Sequence, residues 1–129
     1  MGKDPNNLGL EAEDVVEDAL NQLLQEEPRV AGYLRARSAD RLDNEGIDFL
    51  IFLKGGFALP IQVRSTYRHV TKFHKKHPSI RFILFILRRR LAPFNIVDKN
   101  SVHYRRSVEY AKRKIRQFTI RAAKEYLRP

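Results

Sequence analysis

In the stretch EGIDFLIFLKGGFALPIQVRSTY, residues 45–67, two apolar runs carry three residues that an apolar strand does not need: Asp48, Gln62 and Arg64. Together they offer a carboxylate, an amide and a guanidinium. An ionised carboxylate among apolar side chains is costly unless it meets a partner, a hydrogen-bond network or a metal. Whether the three act together depends on register. Side chains alternate faces along a strand, so Ile47, Phe49, Ile51 and Leu53 share one face of the first run, and Phe57, Leu59, Ile61 and Val63 share one face of the second. Joining the two apolar faces sets Leu53 opposite Phe57, Ile51 opposite Leu59, Phe49 opposite Ile61 and Ile47 opposite Val63. That register needs a three-residue loop, and Lys54-Gly55-Gly56 supplies one with glycine at the left-handed position. A two-residue Gly-Gly loop would pair Asp48 with Val63 and mix the faces. Asp48 then lies across from Gln62, with Arg64 one step along on the same face. The plainest role for the trio is an Asp48–Arg64 ion pair. Pro60 removes one ladder donor and predicts an edge or bulge near it.

The elements that would position these residues are readable from periodicity. In LGLEAEDVVEDALNQLLQEEP, Leu10, Val16, Ala19, Leu20, Leu23 and Leu24 recur at helical spacing, and Pro28 ends the helix. RVAGYLRAR reads as a strand, followed by the polar loop SADRLDNEG. STYRHVTKFHKKHP reads as a short helix capped by Ser65 or Thr66 and ending before Pro78. IRFILFIL has the near-continuous apolar character of a central parallel strand, and one more short strand is expected near FNIV, residues 94–97. In the last stretch, Val108, Ala111, Ile115, Phe118 and Ala122 form one core-facing stripe of a long basic helix. The order is α-β-β-β-α-β-α, an α/β chain with a mixed sheet flanked by helices. The helix before the last strand is a crossover, so that strand is expected parallel to its predecessor.

At 129 residues the chain is expected to form one domain, 1–129, and 43 % hydrophobic residues suffice for a real core. The lack of cysteine excludes disulfides and thiolate metal sites and suits a cytoplasmic location. No apolar run approaches the ~20 residues of a membrane span. The N-terminal MGKDPNN offers neither a signal core nor the Ser or Thr of a myristoylation motif. Charge is the most informative bulk property. The net charge is +10; residues 1–50 carry 5 Lys/Arg against 12 Asp/Glu, or −7, and residues 51–129 carry 20 against 3, or +17. Such a concentration predicts a polyanionic partner, because neutralising phosphates releases condensed counterions.

GIDFLI…LPIQVRSTY, set after an acidic helix and one strand and before a helix and another strand, resembles the PD-(D/E)xK nuclease superfamily, the restriction-endonuclease-like fold that includes Holliday-junction resolvases. The resemblance covers roughly residues 8–87, the expected core, with the basic helix at about 104–127 outside it. It implies a metal-dependent DNA endonuclease whose catalytic residues are Asp48, Gln62, Arg64 and the helix acid Glu13, with Glu17 one turn on as the alternative. It also implies Mg²⁺ or Mn²⁺ bound by Asp48, Glu13, the Gln62 amide oxygen and the Val63 carbonyl. A hard cation of this kind prefers oxygen ligands and stabilises charge growing on phosphoryl oxygens. Gln62 in place of Glu removes a negative charge. Arg64 in place of Lys stays protonated and cannot act as a general base, although it can hold a phosphate oxygen. The alternative is therefore a weakened or inactive nucleic-acid-binding module of the same fold. A third reading is an interaction protein in which Asp48 and Arg64 pair structurally. The expected DNA contacts are Arg68, Lys72, Lys75 and Lys76, then Arg105, Arg106, Lys112 and Arg113 of the last helix. Nucleases of this fold often pair, so a homodimer is a further expectation.

Other groups carry weaker signals. His69, His74 and His77 lie in one basic stretch, and His74/His77 have a metal-compatible spacing, but solvated or phosphate-touching roles are commoner. Asp40, Asp43 and Glu45 could add a cation site, or simply form an acidic turn. Arg88-Arg89-Arg90 could contact phosphate or cap a buried strand, and Tyr67 and Tyr104 could stack on bases. No glycine-rich phosphate loop, nucleophile triad or zinc spacing occurs.

Overall fold

The computed structural model describes residues 5–37, 41–93 and 97–126, with the backbone alone at 5–10, 43 and 126. In chain order the elements are α1 (Pro5–Glu26), β1 (Val30–Arg35), α2 (Arg41–Asn44), β2 (Phe49–Leu53), β3 (Phe57–Arg64), α3 (Val70–Lys76), β4 (Phe82–Phe85), α4 (Arg88–Leu91) and α5 (Val102–Tyr126). The main order matches the periodicity, and α2 and α4 are four-residue additions in segments read as irregular. The fold is α/β: a four-stranded mixed sheet in the order β1-β2-β3-β4, flanked by helices. The first three strands form an antiparallel meander, and β4 returns parallel to β3 after α3.

The hairpin register follows from which faces are apolar. Phe49 pairs with Ile61, Ile51 with Leu59 and Leu53 with Phe57. The loop is Lys54-Gly55-Gly56, with both glycines at positive φ, 110° and 90°, a conformation open to glycine at no steric cost. Phe49, Ile51, Leu59 and Ile61 are fully buried, each contributing roughly 1.5–3 kcal/mol on removal from water. Pro60 lies opposite Leu50 and one residue before the first β3–β4 pair, Ile61 with Phe82. Although β3 is a central strand, its β4-side edge is still open at Pro60, which meets the requirement for an edge.

Both long helices pack on the apolar face, against each other and the sheet. From α1 come Ala12, Val15, Val16, Ala19, Leu20 and Leu23; from α5 come Val108, Ala111, Ile115, Phe118 and Ala122. Leu24, expected in the α1 stripe, turns to solvent, because Ala19, Leu20 and Leu23 already fill that sector.

Two further expectations change. Among the described strands IRFILFIL is not central: β4 forms an edge, and its burial alternates, with Phe82 and Leu84 buried and Ile83 and Phe85 half-exposed. Nor do Ser65 or Thr66 cap α3. The helix starts at Val70 after a left-handed His69, with no side-chain cap. Ile86 N–H donates to Arg64 O at 2.9 Å and Arg88 N–H to Ser65 O at 3.3 Å. The link between the two segments thus continues past β3, and it keeps Ser65 out of the helix. Thr66 Oγ1 instead accepts the Arg68 N–H locally. Of the FNIV segment in which a strand is expected, residues 94–96 lie outside the described residues, and Val97 is in no strand.

Candidate functional site

At the start of β2 the backbone of Asp48 is bound on both sides: its N–H donates to Ile61 O at 2.9 Å, and its carbonyl accepts the Ala36 N–H at 2.8 Å. Its carboxylate Oδ2 accepts the Val63 N–H at 2.7 Å. The side chain thereby stands in for a main-chain acceptor beyond the last regular pair of the ladder, which ties Asp48 to β3. The amide end of Gln62 lies 3.0 Å from that same Oδ2 and 2.5 Å from the Gly46 carbonyl. With nitrogen on this side, the amide donates to both. With oxygen on this side, three oxygens would converge, an arrangement that only a cation would hold together. Asp48 and Gln62 therefore meet as the register requires.

Gly46 makes the approach feasible. Its φ is +79°, and a Cβ there would come within 2.9 Å of the His77 ring. The ring of His77, at the end of α3, thus lies against the turn that presents Asp48. It also packs on Phe73, the rings tilted by 40° with centroids 5.0 Å apart. His74 lies near Phe73 as well, and His69 provides the left-handed entry to α3. The described contacts of the three histidines are thus structural.

Arg64 shares the half-exposed face with Gln62, but its contacts run along its own chain. Nη2 donates to Arg68 O at 2.8 Å, and Cζ lies 5.6 Å from the Phe73 ring centroid. Its Nε–H is buried without an acceptor. These contacts replace the ion pair to Asp48 expected from sequence: the strand end brings the guanidinium beside the Arg68 carbonyl and the α3 aromatic face.

Glu13 belongs to a different cluster. Arg35, paired with Phe49 across the sheet, lies over the Phe49 ring. It reaches Asp14 at 2.9 Å and Glu17 at 3.1 Å, with Glu13 Oε1 4.0 Å from its Nε. Burial opposes the guanidinium's charge, but hydrogen bonds to Asp14 and Glu17 outweigh it and raise its pKa above the ordinary value. Phe49 faces α1, whereas Asp48, the preceding residue, alternates to the other face with Gln62. Both candidate helix acids, Glu13 and Glu17, therefore sit with Arg35. Among the described residues no group of three metal-ligating side chains converges. To a cation that takes one or two carboxylates, Asp48 and Gln62 would offer a single carboxylate, already accepting the Val63 N–H, and one neutral amide oxygen, fewer ligands than the resemblance implies. Glu45 pairs with Arg41 on the surface, while Asp40 and the side chain of Asp43 lie outside the described residues.

Of the expected DNA contacts, Arg68, Lys72, Lys75, Lys76, Arg105, Arg106 and Arg113 are exposed. Lys112 is not: only 5 % exposed, it reaches Glu26 at 2.7 Å, Glu109 at 3.3 Å and Gln22 at 3.0 Å. The hydrogen bond to Glu26 dominates and raises its pKa, overriding burial. Tyr104 is also corrected. It is buried and donates to Asp18, and burial followed by that bond raises its phenol pKa well above the ordinary value. It cannot stack on a base, whereas Tyr67 is exposed and packs on Phe85.

Periodicity did not reveal a cleft of about 380 Å³ outside the carboxyl ends of β3 and β4. Tyr67, Phe85 and Tyr110 give it aromatic walls, and Arg89, Arg90 and Arg106 give it charge. One signal was available: His103, Arg106, Ser107 and Tyr110 recur at i, i+3, i+4 and i+7 on one face of α5. Compared with family models, curated proteins and solved structures, the chain matches none.

Proposed function

We propose that the chain is a DNA-binding domain with a PD-(D/E)xK-like arrangement of elements, in which metal-dependent phosphodiester cleavage is weak or lost. The observation that carries this reading is the division of polar groups. Asp48 is held by Val63 N–H, Glu13 and Glu17 are held by Arg35, and exposed cations such as Arg68, Arg105 and Arg106 have no carboxylate partner among the described residues. Unpaired cations at a surface favour phosphate, and the binding they supply is sequence-independent and salt-sensitive. The element order and the meeting of Asp48 with Gln62 support the architectural part. Arg64, half-exposed on the same face as Gln62, adds a guanidinium of the kind that holds a phosphate oxygen.

A second reading, a metal-dependent endonuclease, is favoured by the convergence of oxygens available if the Gln62 amide turns toward Asp48 and Gly46. Bound Mg²⁺ or Mn²⁺ would there supply charge stabilisation for phosphoryl oxygens. Incubating wild type, Asp48→Asn and Arg64→Lys with branched and linear DNA and Mn²⁺ separates the readings. Asn retains an oxygen for the Val63 N–H, so loss of activity would report on charge rather than folding. The proposal expects metal-independent, salt-steep binding in all three proteins and little wild-type cleavage. Efficient wild-type nicking abolished by Asp48→Asn would replace it with the endonuclease, and no DNA binding at all would reject both.

A further inference from the structure

The arginines of the strand-end cleft differ from four cations elsewhere on α5 and around the sheet. Arg35, Arg81, Lys112 and Arg116 each meet a carboxylate. Arg89, Arg90 and Arg106 meet none among the described residues, and none of the eleven residues lining the cleft is acidic. Three guanidiniums around one concavity repel each other unless an anion lies between them. The cleft is also aromatic. Tyr67 is 62 % exposed and is held by Phe85 at 4.6 Å between centroids, a tilted contact that orients the ring without covering it. Tyr110 and Ser107 of α5 also line it. An exposed aromatic fixed in position beside unpaired guanidiniums combines a stacking platform with an anion site. The cavity volume lies near the lower end of the range for small-ligand sites, which suits one nucleotide rather than a duplex.

We infer that this cleft holds an unpaired nucleotide, its base stacked on Tyr67 and its phosphate among Arg89, Arg90 and Arg106. The cleft opens outside the carboxyl ends of the parallel strands, where α/β sheets commonly bind ligands. A neighbouring cleft shares Tyr67, Leu87, Arg89 and Pro93 with it and runs on along Ser65 to Arg68. Its wall includes Arg88, whose Nε–H is buried without an acceptor. Arg68 in turn accepts from Arg64 through its carbonyl, so a strand leaving the first cleft would run toward Arg64 and Asp48. The same chemistry occurs in a free nucleotide and in a single-stranded DNA end. We assign the DNA end, and that assignment rests on the DNA-binding reading above.

The test is equilibrium binding of three probes: a 5′-phosphorylated single-stranded oligonucleotide, a blunt duplex of equal length, and AMP. Proteins compared are wild type, Tyr67→Ala, Tyr67→Phe and Arg89→Gln/Arg90→Gln. The expected result is single strand bound on the order of tenfold tighter than duplex, with Tyr67→Ala removing about that preference and Tyr67→Phe retaining it. The double arginine variant lowers the slope of log affinity against log salt by about 1.4 for single strand. Tyr67→Ala with unchanged single-strand affinity overturns the cleft while leaving DNA binding intact. AMP bound in a Tyr67-dependent manner without DNA binding keeps the cleft as a nucleotide site and removes the DNA-end assignment. Binding of neither DNA nor AMP overturns the inference together with the reading on which it rests.

Discussion

The cations of the α1–α5 seam and those of the strand-end cleft have the same chemistry and opposite surroundings. Lys112 and Arg116 on α5 reach Glu26 and Glu27 at the end of α1, and Arg35 collects Glu13, Asp14 and Glu17 nearer its start. Arg89, Arg90 and Arg106, beyond the parallel strands, face aromatic rings and one another across a concavity. The uneven charge of the sequence therefore divides into two parts. Part of the positive second half neutralises the acidic first helix within the molecule, and much of the rest, the cleft arginines included, has no carboxylate partner among the described residues, as the proposed binding of an external anion requires. Net charge alone does not distinguish these, since both contribute equally to the +10.

If the division is right, removing a paired cation should cost stability, and removing an unpaired one should cost binding. The largest loss is expected for Arg35→Ala. It leaves three neighbouring carboxylates on α1 without their shared cation and uncovers the Phe49 ring, destabilising the fold by about 2–3 kcal/mol in urea denaturation. Lys112→Ala should cost about 1–2 kcal/mol, less because Glu26 and Glu109 can return to water, and should leave DNA affinity within about twofold of wild type.

The seam should also show in a pH series. Lys112, by hydrogen bonding, holds Glu26 below its ordinary value of 4.5, so this contribution is present above that value and is lost as pH falls through the lowered one. The raised Lys112 contributes fully below its ordinary 10.5 and loses that contribution as pH rises through the folded value. The melting-temperature gap between wild type and Lys112→Gln should therefore narrow at both extremes; a gap independent of pH would contradict the pairing. The smallest stability change is expected for Arg105→Gln, under about 0.5 kcal/mol, with a drop in DNA affinity of roughly threefold at low salt.

The hairpin was legible because alternation leaves one register with two wholly apolar faces, and Lys54-Gly55-Gly56 has the length that register needs. The α5 stripe was legible for the same reason at helical period. Lys112 was misread because exposure was inferred from residue type: its position between Ala111 and Ile115 borders the seam, and its burial is tolerable only because Glu26 and Gln22 of α1 and Glu109 of α5 surround the ammonium. Tyr104 likewise depends on Asp18, 86 residues away in sequence. The separation of Glu13 from Asp48 required knowing that α1 packs on the Phe49 face, which pattern alone does not specify. The cleft was missed because three segments, around Tyr67, Arg89 and Arg106, build it, and each looks like an ordinary basic loop or helix turn by itself.

The salt dependence of DNA affinity, compared between two double variants, addresses the division of charge most directly. In Arg89→Gln/Arg106→Gln the slope of log affinity against log salt on single-stranded DNA should fall by about 1.4, while Lys112→Gln/Arg116→Gln, measured well below its melting temperature, should keep the wild-type slope. Equal slopes for both variants, or a loss confined to the seam variant, would contradict the account.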